Sequence, residues 1–382
     1  MPRKLKVGIL FGGRSAEHEV SLVSATSVIN ALDKDKYEII PIGITPQGKW
    51  LSTSDALKLL KSGRPLDHLP ERILLPDPAY KSLVTLAREE RDGLADGTPQ
   101  AASLDVIFPV LHGTYGEDGT VQGLLELADI PYVGAGVLGS AAAMDKVVAK
   151  QLFRQVGIPV TDDVWFLWKE YEKKGKELLL RIEKSLGYPC FVKPANLGSS
   201  VGISKAHDRK ELTAAVKLAA QYDRRILVEE SVDQAREIEM SVLGNDGPVA
   251  SIPGEIIPSN EFYDYDAKYV DGKSTSVVPA KLPRPVVKRL QEYAVLGFKA
   301  LDCAGMARVD FLVKRRTNKI ILNEINTIPG FTSISMYPKL WAASGIAYAD
   351  LLDRLIDLAI ERHAERSKLR TTFTPKTDWY KE

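Results

Sequence analysis

The segment from Arg308 to Gly330 limits the possible folds of this chain more than any other. It contains two runs in which apolar and polar residues alternate, separated by the basic turn 314–319. Alternation of this kind predicts two β-strands, and side chains two residues apart share one face of a strand. Arg308 should therefore point with Asp310, and Glu324 with Asn326. If the turn pairs the strands, three oxygen ligands and one guanidinium converge on a single surface.

Two carboxylates and an amide oxygen suit Mg²⁺, which takes few protein ligands and completes its shell with phosphates and water. The hairpin therefore predicts a site for magnesium and a nucleotide. The alternative is a solvated polar face on an ordinary hairpin, since antiparallel sheets commonly have one such face.

The composition excludes several classes of protein. A chain of 382 residues is long enough for two or three domains. Its 51 basic and 50 acidic residues argue against binding to nucleic acid or a membrane surface. No run approaches the roughly 18 apolar residues of a membrane span, which predicts a cytoplasmic protein. Cys190 and Cys303 could pair, but buried free thiols are expected in a reducing cytosol.

Strand and helix patterns alternate over residues 1–140, which predicts a small parallel sheet with helices on both sides. Within this domain, residues 50–103 are rich in proline, glycine and charge and suggest a helical and loop insertion. The predicted elements are strands at 5–11, 37–44 and 104–111 and a helix at 15–32.

Two α+β subdomains are predicted to follow, at 141–231 and 232–366, with a polar tail at 367–382. Helices are predicted at 141–156, 209–221, 285–301 and 348–366, and strands at 188–193, 201–206, 226–230, 238–243 and 248–257. The aromatic and charged loop 262–269 suits an active-site lid, with a surface loop as the alternative.

The string Lys193-Pro-Ala-Asn-Leu-Gly198-Ser199-Ser200-Val-Gly202 lies between two predicted strands and so forms a hairpin tip. Glycines let backbone N–H groups approach phosphates closely, and Lys193 could neutralise one of them. The alternative is an ordinary glycine and serine turn.

The strand at 226–230 ends in Glu229 and Glu230. Backbone groups there could hold an adenine, and a carboxylate could bind the ribose hydroxyls. Solvated acids at a strand end are the alternative. Gly134, Gly136 and Gly139 match a dinucleotide-binding pattern, but the preceding strand is very short. We therefore predict a domain-crossing turn there, with nicotinamide binding as the alternative.

Two further motifs lie where open α/β sheets bind ligands. Gly12-Gly13 forms a turn before a helix, with Ser15 as the predicted N-cap and Glu17 and Glu19 suited to the helix dipole. His112 follows a buried strand and could be structural or chemical. After Gly330, the hydroxyl and backbone groups of 332–336 could hold a carboxylate or form a helix N-cap.

Taken in order from Gly12 to about residue 340, and with Met144-Asp145-Lys146, these motifs resemble those of the D-alanine–D-alanine ligases. The resemblance implies the ATP-grasp fold, α/β and α+β in class. In it, an N-terminal parallel-sheet α/β domain precedes two α+β subdomains that clasp ATP.

The resemblance also implies a role for each matching residue. ATP would be bound by Lys146, Lys193, Ser200, Glu229, Glu230, Val232, Glu237 and Lys268. Two Mg²⁺ ions, for which Mn²⁺ could substitute, would be held by Asp310, Glu324 and Asn326. Catalytic roles would fall to Glu17, Ser199, Tyr269, Arg308 and Gly330, and substrate contacts to Glu17, His112, Ser335 and Met336.

The implied reaction joins two D-alanines at the expense of ATP, through a D-alanyl phosphate, for peptidoglycan precursors. The resemblance also implies a cytoplasmic homodimer, and Tyr269 is the residue expected of dipeptide-forming members. The alternatives are a ligase that takes D-serine or D-lactate second, and a non-catalytic ATP-binding module.

Overall fold

The computed structural model describes residues 3–63, 71–86, 102–198, 200–257 and 275–374. The elements in chain order are β1 (Leu5–Gly12), α1 (His18–Ala31), β2 (Tyr37–Ile44), β3 (Trp50–Leu51), α2 (Ala56–Lys61), β4 (Glu71–Leu74), β5 (Ser82–Leu86), β6 (Ala102–Ser103), β7 (Val106–Val110), α3 (Thr120–Leu127), α4 (Val137–Met144), α5 (Lys146–Gln155), β8 (Asp163–Leu167), α6 (Trp168–Ser185), β9 (Cys190–Pro194), β10 (Ser204–Ala206), α7 (Arg209–Ala219), β11 (Arg225–Glu230), β12 (Ala235–Gly244), β13 (Val249–Ala250), β14 (Gly254–Ile257), β15 (Thr275–Val277), α8 (Arg284–Ala300), β16 (Gly305–Lys314), β17 (Ile320–Asn326), α9 (Met336–Ala343) and α10 (Tyr348–Arg366).

The N-terminal sheet has the strand order β3-β2-β1-β7. Strands β2 and β7 both run parallel to β1, as the alternation of strand and helix patterns predicts. The predicted insertion is only partly helical, because it contains the short helix α2 and a small antiparallel sheet formed by β4, β5 and β6.

Two helices differ from their predicted bounds: one is interrupted, and the other begins later in the chain. The helix predicted at 141–156 is two helices, because the Asp145 side chain accepts hydrogen bonds from the N–H groups of Val147 and Val148, both at 3.1 Å. These bonds make Asp145 the N-cap of α5. Ser15 is not the N-cap of α1, which begins at His18 and has no side-chain cap.

The middle sheet is antiparallel, with the order β10-β9-β11-β8, and confirms the hairpin predicted around residues 194–203. Helix α6, which covers this sheet, is absent from the sequence prediction. Its many charged residues conceal an apolar stripe of Tyr171, Leu178, Leu179 and Ile182, which are buried at helical spacing.

The third sheet has the order β15-β14-β12-β16-β17. Strands β16 and β17 pair antiparallel, with Arg308 opposite Asn326 and Asp310 opposite Glu324. The turn is closed by a hydrogen bond of 3.0 Å from the Lys314 N–H to the Lys319 carbonyl. The predicted hairpin is therefore confirmed, and its polar residues share one face.

One apolar core joins the N-terminal sheet to the last helix, α10. It includes Ile9 and Phe108 from the sheet and Leu355 from α10, all fully buried. Phe331 links the two parts, with its ring centroid 5.6 Å from that of Phe108 in an edge-to-face contact. At the sheet edge, the Tyr37 hydroxyl donates a hydrogen bond of 2.9 Å to Asp353.

The glycines at 134–139 do not form a single turn, because Gly134 precedes α4, Gly136 is its N-cap and Gly139 lies within the helix. Immediately before Gly134, the described residues contain an isolated β-bridge from Tyr132 to Ile107 and no strand, so the strand of a dinucleotide fingerprint is missing there. Gly134 (φ +99°) and Gly305 (φ +71°) lie so close that a side chain on Gly305 would come within 3.2 Å of the Gly134 nitrogen.

Other predictions concern the chain ends, the thiols and membrane spans. Cys190 and Cys303 are buried free thiols, as expected. Residues 367–374 are exposed and lie outside any helix or strand. Among the helices that the structure describes, none is long and apolar enough to span a bilayer.

Candidate functional site

Most of the candidate site residues from the sequence motifs line a cleft between the three main sheets. It consists of two adjoining cavities that share Lys146, Glu239, Arg308 and Glu324. The cavity nearer the N-terminal domain is lined by Glu17, His112, Asn326, Gly330, Ser335 and Met336. The other is lined by Lys193, Ser200, Glu229, Glu230, Val232, Glu237 and Asp310. Ser199, Lys268, Tyr269 and the predicted lid 262–269 lie outside the described residues.

The hairpin face carries an ion pair at its centre. Arg308 donates from Nε to Asp310 Oδ1 at 2.7 Å and from Nη2 to Oδ2 at 2.6 Å. Glu239, on the neighbouring strand β12, places Oε2 3.2 Å from the same Nε. Burial alone would lower the pKa of Arg308, but Asp310 and Glu239 outweigh it and hold the pKa well above its usual value. Arg308 is therefore a fixed positive charge.

Two lysines approach the hairpin from other elements. Lys146, the first residue of α5, donates a hydrogen bond of 2.6 Å to the Leu197 carbonyl and lies 3.9 Å from Glu324 Oε2. Lys193, on β9, lies 2.6 Å from Glu229 Oε2. Both amines border the second cavity.

The Glu229 carboxylate is bonded to lysines through both of its oxygens. Lys193 contacts Oε2 and Lys150 contacts Oε1, the latter at 2.5 Å. Burial raises the pKa of Glu229, but the two lysines outweigh burial and lower it to about 2. Glu229, Glu230 and Glu237 all line the second cavity.

Glu17 is buried at the start of α1, against the turn that follows β7. Ser15 supports this loop instead of capping the helix: its hydroxyl donates to the His112 carbonyl at 2.6 Å and accepts from the Glu17 N–H at 3.0 Å. Gly113 has φ +74°, and a β-carbon there would lie 2.8 Å from Glu17 Oε2. The close approach therefore requires glycine.

His112 connects the N-terminal domain to the loop that carries Gly330. Its Nδ1 lies 3.0 Å from the Ile328 carbonyl, which can only accept, so Nδ1 carries the proton. Its Nε2 then accepts a hydrogen bond from the Ser24 hydroxyl at 3.1 Å. The oxygen of this hydroxyl accepts from the Phe331 N–H at 3.3 Å. Burial lowers the pKa of His112, against the opposing effect of Glu17, so the ring is neutral.

Ser335 and Met336 lie at the start of α9, where backbone N–H groups favour anions. Ser335 occupies the N-cap position, but its side chain makes no capping bond to the helix. Its hydroxyl accepts instead from the Thr332 N–H at 3.0 Å. A β-carbon on Gly330 would lie 2.7 Å from this hydroxyl, so the loop folds tightly over the serine.

Three residues of the site were missed by the sequence analysis. Glu239 is two residues from Glu237 on β12, so the rule that such side chains share a strand face could have found it. Lys150 follows Lys146 by four residues on α5, which is helical spacing for a shared face. Glu117 follows His112 by five residues and accepts a hydrogen bond of 2.6 Å from the Gly113 N–H. Burial and the neighbouring Glu17 raise its pKa well above the usual value.

The donor set fits a hard divalent cation. Asp310, Glu324 and Asn326 supply oxygen atoms from one face of the hairpin, in the proportion that Mg²⁺ accepts when phosphates complete its shell. Within the part of the chain that the structure describes, no group of three or more His, Cys, Asp or Glu residues is arranged to hold a metal ion.

Known proteins and family models match this chain over most of its length. The family models described as "D-ala D-ala ligase N-terminus" and "D-ala D-ala ligase C-terminus" match residues 6–135 and 152–357. The D-alanine–D-alanine ligase of Thermoanaerobacter sp. (strain X514) is 54% identical over 367 residues, which are 96% of this chain and 99% of that protein. The ligase of Chloroherpeton thalassium is 53% identical over 372 residues, with coverage of 96% and 99%.

Solved structures give the same result for the fold. The structure of the D-alanine–D-alanine ligase from Coxiella burnetii aligns with a TM-score of 0.80 at 41% identity, covering 96% of each chain. The structure of the VanG D-Ala:D-Ser ligase from Enterococcus faecalis aligns with a TM-score of 0.81 at 38% identity, covering 94% of this chain and all of that one. The fold is therefore that of the ATP-grasp ligases.

Proposed function

The chain belongs to the D-alanine–D-alanine ligase family, and from that premise we propose that it joins two D-alanines to D-alanyl-D-alanine for peptidoglycan synthesis. The reaction consumes ATP and releases ADP and phosphate. A carboxylate is a poor electrophile, so the first D-alanine is converted to D-alanyl phosphate by the γ-phosphoryl group. The amine of the second D-alanine then attacks the carbonyl carbon, and phosphate leaves.

ATP occupies the cavity bordered by Lys146 and Lys193, with the adenine near the backbone of 230–232. Phosphoryl transfer depends mainly on positioning and charge neutralisation, which these lysines supply. Two Mg²⁺ or Mn²⁺ ions held by Asp310, Glu324 and Asn326 neutralise further phosphate charge when bound. The donor set and the distance of 3.9 Å from Lys146 Nζ to Glu324 Oε2 support this placement.

The first D-alanine occupies the other cavity, with its ammonium on Glu17 and its carboxylate toward ATP. The buried carboxylate of Glu17 and the neutral His112 beside it support this orientation. The carboxylate of the second D-alanine is held by the Ser335 hydroxyl and the Met336 N–H, at the start of α9. Both amino acids then lie within reach of Arg308.

Arg308 and the Gly330 N–H stabilise the oxyanion that forms when the second amine attacks. Donors aimed at the place where charge develops lower the barrier most in a site that excludes water. Exclusion of water also protects the acyl phosphate from hydrolysis. We propose that Ser199 and Tyr269 complete the closed site above Glu17, and that Lys268 contacts ATP.

One observation carries this proposal: Arg308 lies in the wall shared by the two cavities, one of which we assign to the nucleotide and the other to the amino acids. The test is to incubate purified protein with ATP, Mg²⁺ and D-alanine, and to measure phosphate release and D-alanyl-D-alanine by mass. D-alanine-dependent release of one phosphate per dipeptide is expected. ATP binding without turnover would indicate a non-catalytic nucleotide-binding module.

A second candidate is a ligase that prefers D-serine as the second substrate. This candidate is supported by the similarity of the chain to the VanG D-Ala:D-Ser ligase, with 38% identity and a TM-score of 0.81. Competition between D-alanine and D-serine or D-lactate in one reaction, followed across pH, distinguishes these activities. A dominant D-alanyl-D-serine or ester product would replace the dipeptide assignment.

We also propose that the protein acts in the cytoplasm as a homodimer, as the family resemblance implies. A near-balanced composition of 51 basic and 50 acidic residues fits a protein without a nucleic-acid or membrane partner. Sedimentation equilibrium gives the oligomeric state directly, and a monomer at micromolar concentration would contradict the dimer.

A further inference from the structure

Helix α5 points two lysines toward the nucleotide cavity, but only one of them borders it. Lys146 and Lys150 are four residues apart and therefore lie on one face of the helix. Lys146 lines both cavities, whereas Lys150 lines neither and its side chain is only 2% exposed. Burying an unpaired cation would cost a large amount of folding free energy, so the partners of Lys150 indicate what it does.

Lys150 has three polar partners. Its Nζ lies 2.5 Å from Glu229 Oε1 and 2.5 Å from the Thr161 hydroxyl. Asp163 Oδ1 is farther away, at 3.7 Å, and is also paired with Arg154. The main ionic partner of Lys150 is therefore Glu229.

Glu229 lies between two lysines that approach from opposite sides. Lys150 holds Oε1 from within the protein, and Lys193 meets Oε2 at 2.6 Å from the side of the cavity. The side chains of Lys150, Glu229 and Lys193 are 2%, 5% and 11% exposed. Their geometry is fixed by burial and by two short charge-assisted hydrogen bonds.

The charge of this trio depends on Lys150. A Lys193–Glu229 pair alone would be neutral and would offer little attraction to a polyphosphate. With Lys150 added, two cations surround one anion and leave a net charge of +1, which Lys193 presents to the cavity. Two cations also keep Glu229 ionised, since its pKa lies at about 2 despite burial.

We propose that Lys150 is a positioning residue for the nucleotide: it holds Glu229 in place and offsets its charge, so that more of the positive charge of Lys193 is available to the phosphates. Lys150 touches neither the nucleotide nor the reacting atoms. This inference rests on the proposed binding of ATP in the cavity beside Lys193.

The test is Lys150→Met, which keeps the length of the side chain and removes its charge. We expect the dissociation constant for ATP, measured by calorimetry without D-alanine, to rise about tenfold. The KM for ATP should rise similarly, while kcat at saturating ATP and the KM for D-alanine stay within threefold of wild type. A purely structural role would lower the melting temperature without this separation of KM from kcat.

Arg154→Met is the matched control, because it removes a cation from the same helix and from the same Asp163. Its affinity for ATP should match that of wild type. Equal weakening by both variants, or unchanged affinity in Lys150→Met, would overturn the proposal.

If Lys150→Met does not fold, Thr161→Val loosens Lys150 without removing its charge. It should weaken ATP binding about two- to fourfold, and unchanged binding would overturn the proposal. Wild-type ATP binding with D-alanine-dependent phosphate release is measured first, so failure of the proposed function is distinguishable from failure of this inference.

Discussion

The guanidinium of Arg308 is bonded to both carboxylate oxygens of Asp310, at 2.7 and 2.6 Å. Asp310 is also a proposed metal ligand, so the arginine and a cation share the same two oxygens. Glu239, with Oε2 3.2 Å from Arg308 Nε, gives the guanidinium a second anchor on β12. Arg308 can therefore keep its position while Asp310 turns an oxygen toward a metal.

Replacing Arg308 tests its role in stabilising the oxyanion. Arg308→Ala should lower kcat by about 10²–10³-fold, the usual scale for loss of one such donor. Arg308→Lys keeps the charge but loses the two-pronged geometry, so we expect an intermediate loss. Steady-state phosphate release measures both. Activity of the alanine variant within tenfold of wild type would remove Arg308 from this role.

Replacing Glu324 tests the proposed metal site. Glu324→Gln keeps the shape but weakens the ligand, so the Mg²⁺ concentration for half-maximal activity should rise about tenfold or more. Binding of Mn²⁺ in the presence of ADP, followed by paramagnetic resonance, should weaken in parallel. Lys319→Gln, in the exposed turn of the same hairpin, is the control and should change neither quantity. Unaltered Mn²⁺ binding in Glu324→Gln would exclude this ligand.

The buried neutral His112 predicts a dependence of stability on pH. Its pKa in the folded protein lies below the value of about 6.5 expected in the unfolded chain. The unfolded state then binds more protons, so stability is lost as pH falls from about 6.5 toward the folded pKa. The advantage of wild type over His112→Gln in thermal melts should shrink between pH 8 and pH 5. Parallel melting curves across this range would contradict it.

Gly113→Ala tests the close approach of the glycine turn to Glu17. The new β-carbon would lie 2.8 Å from Glu17 Oε2, which must move. We expect the KM for D-alanine to rise about tenfold, with some loss of stability because φ is +74°. Gly157→Ala is the control: φ is +76°, but no atom lies within 4 Å of the new β-carbon. An equal change in KM in both variants would refute displacement of Glu17.

Local patterns predicted the central hairpin well. Alternation defines which side chains share a face, and a short turn leaves few possible pairings, so Arg308, Asp310, Glu324 and Asn326 came together as expected. The same reasoning located the glycine hairpin at β9 and β10. Lys193, Gly198 and Ser200 of the glycine hairpin border the same cleft as the four residues of the central hairpin.

Features that depend on distant pairings were not predictable. Glu239 meets Arg308 because β12 pairs with β16 and places Glu239 opposite Asp310. No local pattern specifies that register, since the strands are separated by β13, β14, β15 and α8. Helix α6 was missed for another reason: its exposed face is so densely charged that a small apolar stripe is hard to recognise. The proposed domain boundaries stay predictions.

The apolar core shared by the N-terminal sheet and α10 has a consequence for synthesis of the chain. Phe108 and Ile9 leave the ribosome early, whereas Leu355 is translated more than 200 residues later. Until α10 emerges, this face of the nascent sheet is covered by α1 but lacks the apolar residues of α10, and the uncovered part is exposed to chaperones, proteases and other nascent chains. Complete burial of the apolar core of the N-terminal domain therefore depends on the late synthesis of α10.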